Sequence, residues 1–136
     1  MAKAGQLPSI VDRLCVLVVD DSAHMRKTIC TLLCAWDIDC VTADNGEEGY
    51  RQVLEIRPDL VITDLQMPQI DGYDLLEGLS ELPKAHRPRI IVLSGSLGEA
   101  ESSKLPLLER ADSLLLKPVN PESLFDCIRG LLKVAD

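Results

Sequence analysis

A chain of 136 residues with 46% hydrophobic and 26% charged side chains has the length and composition of one ordinary folded domain, with a core that is aliphatic because aromatics make up only 3%. Its 22 acidic against 14 basic side chains leave a net charge of −8, which repels polyanions and argues against a DNA, RNA or anionic-membrane surface. The longest wholly apolar run, 14–19, is six residues against the ~20 of a membrane span, and the opening MAKAGQLPSI lacks a secretory apolar stretch, so a cytoplasmic protein with no membrane partner is expected.

Residues 1–13 read as a tail or linker and 14–134 as the folded domain. A first strand is expected over 14–19 (LCVLVV), followed by the polar DDSAHM and a helix over 23–35. A second strand spans 38–42, and Asn45 with Glu48 forms a capping-box pattern opening a helix over 46–56. The third strand, 60–63, runs into Asp64, and a helix follows over 73–79. Strand four, 89–93, runs into Ser94, with a helix expected over 99–110 that Pro106 should kink or shorten. The fifth strand, 113–116, runs into Lys117-Pro118, and Asn120 caps a last helix over 121–133 whose first residue is Pro121.

Strands such as LVIT and IIVL are apolar almost throughout instead of alternating, which is the pattern of a parallel sheet covered on both faces. The fold class is therefore α/β, a doubly wound five-stranded parallel sheet. Five cysteines, an odd number without C-x-x-C spacing, argue against a disulfide framework or zinc knuckle, so reduced thiols are expected, with Cys30 and Cys34 facing the core. His24 and His86 read as exposed, and Trp36 packs at the end of the first helix, where it would report on chemistry only if close to it.

Open α/β sheets bind ligands at the carboxyl ends of their strands, and there this chain places Asp20, Asp21, Asp64, Ser94 and Lys117. Carboxylates converging on one edge raise one another's pKa unless a cation neutralises them, and hard oxygen ligands suit Mg²⁺. The alternatives lose ground: DDSAHM stands where G-x-G-x-x-G would hold a dinucleotide, and no G-x-x-x-x-G-K-[ST] occurs. What remains is Asp64 as a nucleophile toward a phosphoryl group, with Mg²⁺ screening its charge and Lys117 and Ser94 gripping phosphoryl oxygens.

The order VVDD, TDLQMPQIDG, LSGS, LLKP over residues 14–132 resembles the receiver domains of two-component response regulators of the chemotaxis type. Separations of 30 residues from Asp64 to Ser94 and 53 to Lys117 fit that family. The resemblance implies a flavodoxin-like (βα)5 fold with strand order 2-1-3-4-5. It implies that Asp64 takes a phosphoryl group from a phosphohistidine on a histidine kinase or histidine phosphotransferase domain. Asp21 and Asp64 would ligate Mg²⁺ directly, Asp20 through water and Gln66 through its backbone carbonyl. Ser94 and Lys117 would sense the phosphoryl group, with a cis Lys117-Pro118 bond aiming the lysine inward and Gly72 relaxing the turn into the following helix. The domain would assist its own phosphorylation and dephosphorylation without being an enzyme in the ordinary sense.

Two departures touch the output. Leu114 stands where many receivers carry a switching Tyr or Phe, and Pro106 is expected to make the surface around the expected fourth helix unusual. The resemblance implies that Gln66 and Ser96, each two residues past a site residue, affect how fast the acyl phosphate hydrolyses, as side chains expected to flank the path of the attacking water. The chain is expected to act as a phosphorelay switch, as a monomer or a phosphorylation-dependent dimer, toward a protein target or fused output domain. Alternatively it is a receiver segment of a larger hybrid kinase or regulator. A phosphohydrolase using an aspartyl phosphate is the remoter reading, because such enzymes carry a second Asp where this chain has Gln66.

Overall fold

A computed structural model of the chain describes residues 14–65, 72–95 and 110–132. The elements in order are β1 (Cys15–Val19), α1 (Ala23–Ala35), β2 (Asp39–Ala43), α2 (Gly46–Ile56), β3 (Leu60–Asp64), α3 (Gly72–Ser80), a 3-10 turn (Lys84–His86), β4 (Arg89–Ser94), β5 (Ser113–Leu116) and α4 (Pro121–Leu132). The five strands form one sheet in the order β2-β1-β3-β4-β5, and every pairing is parallel. Expected and observed boundaries of these elements differ by no more than one residue at any end. Residues 99–109 of the helix expected over 99–110, Pro106 included, lie outside the described residues.

The continuous apolar strands are explained by their two faces. Leu17, Val19, Val61 and Val92 point to one side, where Val53 of α2 and Leu75, Leu76 and Leu79 of α3 cover them. Their neighbours Val16, Val18, Ile62, Ile91 and Leu93 point to the other, against Ile29 and Leu33 of α1 and Leu124 and Ile128 of α4. Successive side chains of a strand alternate sides, so a strand buried on both must be apolar at every position.

Helix starts follow local side-chain chemistry. Ser22 caps α1 by accepting the Met25 N–H at 3.2 Å, and Asn45 caps α2 by accepting the Glu48 N–H at 2.8 Å. The Glu48 carboxylate pairs with Arg51 and Gln52, so only half of the expected capping box is made. Asn120 accepts the Ser123 N–H at 3.0 Å ahead of Pro121.

The expectation of reduced thiols is corrected by a Cys30–Cys40 disulfide that joins α1 to β2 across Cα atoms 5.7 Å apart. An odd cysteine count speaks against a framework of bridges, yet it is blind to a single pair that the fold brings together. Cys34 does not face the core; it is exposed. At about 100° per residue, Cys30 flanks the Ile29–Leu33 stripe, and Cys34 falls a further 40° away from it. Cys15 and Cys127 are free and half-buried, and burial, then the nearby Asp39 and Asp59 charges, pushes the Cys15 thiol pKa up. Trp36 ends α1 and packs on Phe125 of α4 with ring centroids 4.8 Å apart. No helix among the described residues is long and apolar enough to cross a membrane.

Candidate functional site

Because all five strands run the same way, the residues at or just past their carboxyl ends land on one rim. Asp20 leaves β1 with its N–H still donating to the Ala43 carbonyl at 3.1 Å, one step beyond the β1–β2 pairing. Its Oδ1 accepts the Ser22 N–H at 2.9 Å, and Arg26 Nη1 donates to its carbonyl at 2.6 Å. The carboxylate is thus locked in place while only 2% exposed. Asp64 ends β3 at 8% exposure; its Oδ1 accepts the Leu65 N–H at 2.8 Å, and the Thr63 hydroxyl donates to its carbonyl at 2.9 Å.

Lys117 reaches between these two acids. Its Nζ lies 3.6 Å from Asp20 Oδ2 and 3.4 Å from Asp64 Oδ2. The Lys117 N–H donates to the Ser94 carbonyl at 2.8 Å, joining the ends of β4 and β5, and the Lys117-Pro118 bond is cis. Ser94, 4% exposed, closes β4 one residue beyond Leu93, the pairing partner of Asp64.

Gly72 is demanded by close approach. A Cβ on it would fall onto the Asp64 carbonyl oxygen and 2.6 Å from Leu65 Cα, and its N–H donates to the Leu65 carbonyl at 2.9 Å. Gly72 φ is not positive, so space and not a left-handed turn requires glycine here.

Asp20, Asp21 and Asp64 each offer a carboxylate oxygen within 4.8 Å of the others. Burial pushes the Asp20 carboxyl pKa up; the Ser22 N–H and Lys117 pull it down, and the Asp64 and Asp21 charges push it further up. Asp20 Oδ2 is buried without a hydrogen-bond partner among the described residues. One ammonium at 3.4–3.6 Å for three carboxylates leaves negative charge to be neutralised. An all-oxygen donor set with an orphaned buried oxygen fits a hard dication such as Mg²⁺ and not a soft metal.

Of the residues expected from the sequence, Asp20, Asp21, Asp64 and Lys117 are gathered here, and Ser94 lies on the same rim. Gln66 and Ser96 lie outside the described residues. Leu114 is half-buried and packs against the core under α2 and α3. His24 and His86 are exposed. Ser22, Arg26 and Thr63 went unnamed by sequence reasoning. The D-D-S order before a helix is a cap signal that could have found Ser22. Arg26 and Thr63 act on backbone carbonyls, which no residue pattern marks.

Residues 16–129 match the family model described as the response regulator receiver domain. The chain is 37% identical over 121 residues to the "Probable transcriptional regulator ycf27" of Pyropia yezoensis, an overlap of 89% of this chain and 48% of that protein. It is 40% identical over 117 residues to the gliding motility regulatory protein of Myxococcus xanthus, covering 86% of this chain and 15% of that one. The chain thus spans about half or less of the length of these relatives. Among solved structures, it is similar to the response regulator TrrA of Thermotoga maritima in complex with Mg²⁺–BeF, at 29% identity and a TM-score of 0.77, covering 87% of this chain and 98% of that chain.

Proposed function

Since the chain belongs to the response regulator receiver domain family, the regulatory domain of two-component signalling, we propose that Asp64 is its phosphoacceptor. The phosphoryl donor is a phosphohistidine on a histidine kinase or histidine phosphotransferase domain. The observation that carries this reading is the Lys117 ammonium seated 3.6 Å from Asp20 and 3.4 Å from Asp64 on the carboxyl rim of the sheet.

An Asp64 carboxylate oxygen attacks phosphorus, the P–N bond to the donor imidazole breaks, and the imidazole leaves with the electron pair and takes up a proton. Leu65 N–H holds Asp64 Oδ1 and so fixes the plane of the nucleophile. Lys117 and Ser94 would hold phosphoryl oxygens, the ammonium by charge and the hydroxyl as a donor. Asp20, Asp21, Asp64 and the Gln66 carbonyl would hold Mg²⁺, which supplies the positive charge that lets an anionic carboxylate approach an anionic phosphoryl group. Once phosphorylated, Asp64 draws Lys117 and Ser94 toward the new charge, and the strand ends β4 and β5 transmit that shift to a protein target or a fused output domain.

We take 14–134 as the receiver unit, acting in the cytoplasm either alone or as one segment of a larger regulator. Gln66 in place of a second aspartate supports a regulatory acceptor over a phosphohydrolase. Beryllofluoride, which mimics the acyl phosphate, tests the reading. A bound ¹⁹F signal that requires Mg²⁺ and disappears in Asp64→Asn is expected; a signal that persists in Asp64→Asn contradicts the assignment.

A further inference from the structure

At the other end of the sheet, a cleft of about 680 Å³ opens between the carboxyl end of α3 and the amino end of β4. Among the described residues, Lys84, Arg87, Arg89 and Arg110 line it against Glu81 and Asp112, a local net charge of +2 in a chain whose total is −8. β4 runs six residues from Arg89 in the cleft to Ser94 on the acidic rim, so about 16 Å separate the two.

Three of the four cations are held in place. Arg87 Nε donates to the Leu82 carbonyl at 2.7 Å, Arg110 Nη1 to the Ser80 hydroxyl at 2.8 Å and Arg89 Nη1 to Asp112 at 3.1 Å. A guanidinium carries five N–H donors, so one fixed bond orients it and most of its donors remain for a ligand. Asp112 is occupied at both oxygens, by Arg89 and by the Ile90 N–H at 2.7 Å, and offsets Arg89 alone. Among the described residues that line the cleft, Lys84, Arg87 and Arg110 are left facing a single opposing charge, Glu81.

Oriented guanidinium groups match phosphate oxygens in pairs of hydrogen bonds. The volume is that of a small-molecule site and exceeds what one phosphate fills. Leu79, Pro88 and Ile90 floor the cleft but are buried, so the surface it offers a ligand is mainly that of the cations. We propose that this cleft binds a small molecule bearing two or more linked phosphates. Such a ligand gives the domain an input independent of phosphorylation at Asp64.

The test is calorimetric titration of the full chain with ADP, pyrophosphate and adenosine, at physiological salt and with EDTA present to keep divalent ions from the acidic rim. The expected results are binding of both pyrophosphate and ADP and none by adenosine. Lys84→Ala/Arg87→Ala, both exposed positions, weakens ADP binding at least tenfold. Lys27→Ala/Arg51→Ala, the same charge removed elsewhere, changes it less than twofold. Amide shifts on ADP addition fall on residues 79–90 and 110–112. Failure of both ADP and pyrophosphate to bind at millimolar concentration overturns the proposal, as does equal weakening in the two double variants or shifts centred on Asp20 and Asp64. Adenosine binding as tightly as ADP overturns the assignment of the cations to phosphate.

Discussion

Asp20→Asn should stabilise the metal-free protein. The Asp20 Oδ2 atom is buried, has no hydrogen-bond partner among the described residues, and shares its space with the Asp21 and Asp64 carboxylates within 4.8 Å and the Lys117 ammonium at 3.6 Å. With the carboxylate oxygens no more than 4.8 Å apart and the ammonium at 3.6 Å, an effective dielectric of about 20 makes the two repulsions exceed the one attraction by about 2 kcal/mol, before solvent screening of the exposed Asp21. Asparagine removes the charge and keeps an Oδ1 acceptor for the Ser22 N–H. Burial raises the Asp20 pKa in the folded state, so the folded protein binds more protons there than the unfolded chain. Wild-type stability therefore falls as pH rises through that titration, and the advantage of asparagine is fully present above it and fades as pH drops toward the ordinary carboxylate range. Urea denaturation in EDTA at neutral pH should show Asp20→Asn more stable by about 1–2 kcal/mol. Saturating Mg²⁺ should reverse the order, because wild type gains binding energy that the variant lacks. Equal or lower stability of Asp20→Asn in EDTA at neutral pH would refute the electrostatic reasoning.

Gly72→Ala places a methyl group against the Asp64 and Leu65 backbone, neither of which can turn away. It should cost about 1–3 kcal/mol in denaturation and slow Asp64 phosphorylation. Cys40→Ser opens the link to Cys30, ten residues away in sequence. By loop-closure entropy it should lose about 2–3 kcal/mol without reductant and match wild type with it. Trp36 packs on Phe125 at the carboxyl end of α1, and α1 begins beside the acidic rim and runs away from it. Its fluorescence should follow unfolding and stay unchanged when Mg²⁺ is added; a change on Mg²⁺ addition would show coupling along α1 that the packing does not provide.

Most of the fold was legible because its signals are local or periodic. Unbroken apolar strands marked a sheet covered twice, and Ser22, Asn45 and Asn120 act at their own helix starts. The rim was legible for a topological reason: in a parallel sheet the residues at or just past the carboxyl ends of β1, β3, β4 and β5 must be neighbours. The cysteines were misread because pairing depends on α1 lying against β2, a tertiary fact that counting does not contain. The bonds from Arg26 and Thr63 to main-chain carbonyls were hidden for a similar reason, since a backbone acceptor leaves no mark on residue type. Neither did Gly72 disclose its role by itself: glycine beside a turn usually signals an unusual φ, whereas here it admits the Asp64 carbonyl.

The most direct measurement is the intact mass of wild type and Asp64→Asn after incubation with acetyl phosphate, each with Mg²⁺ and with EDTA. The account predicts one added phosphoryl group on wild type with Mg²⁺ and none in the other three samples. An adduct of the same size on Asp64→Asn, or none on folded wild type that also fails to bind Mg²⁺, would contradict the assignment of Asp64 as the phosphoacceptor.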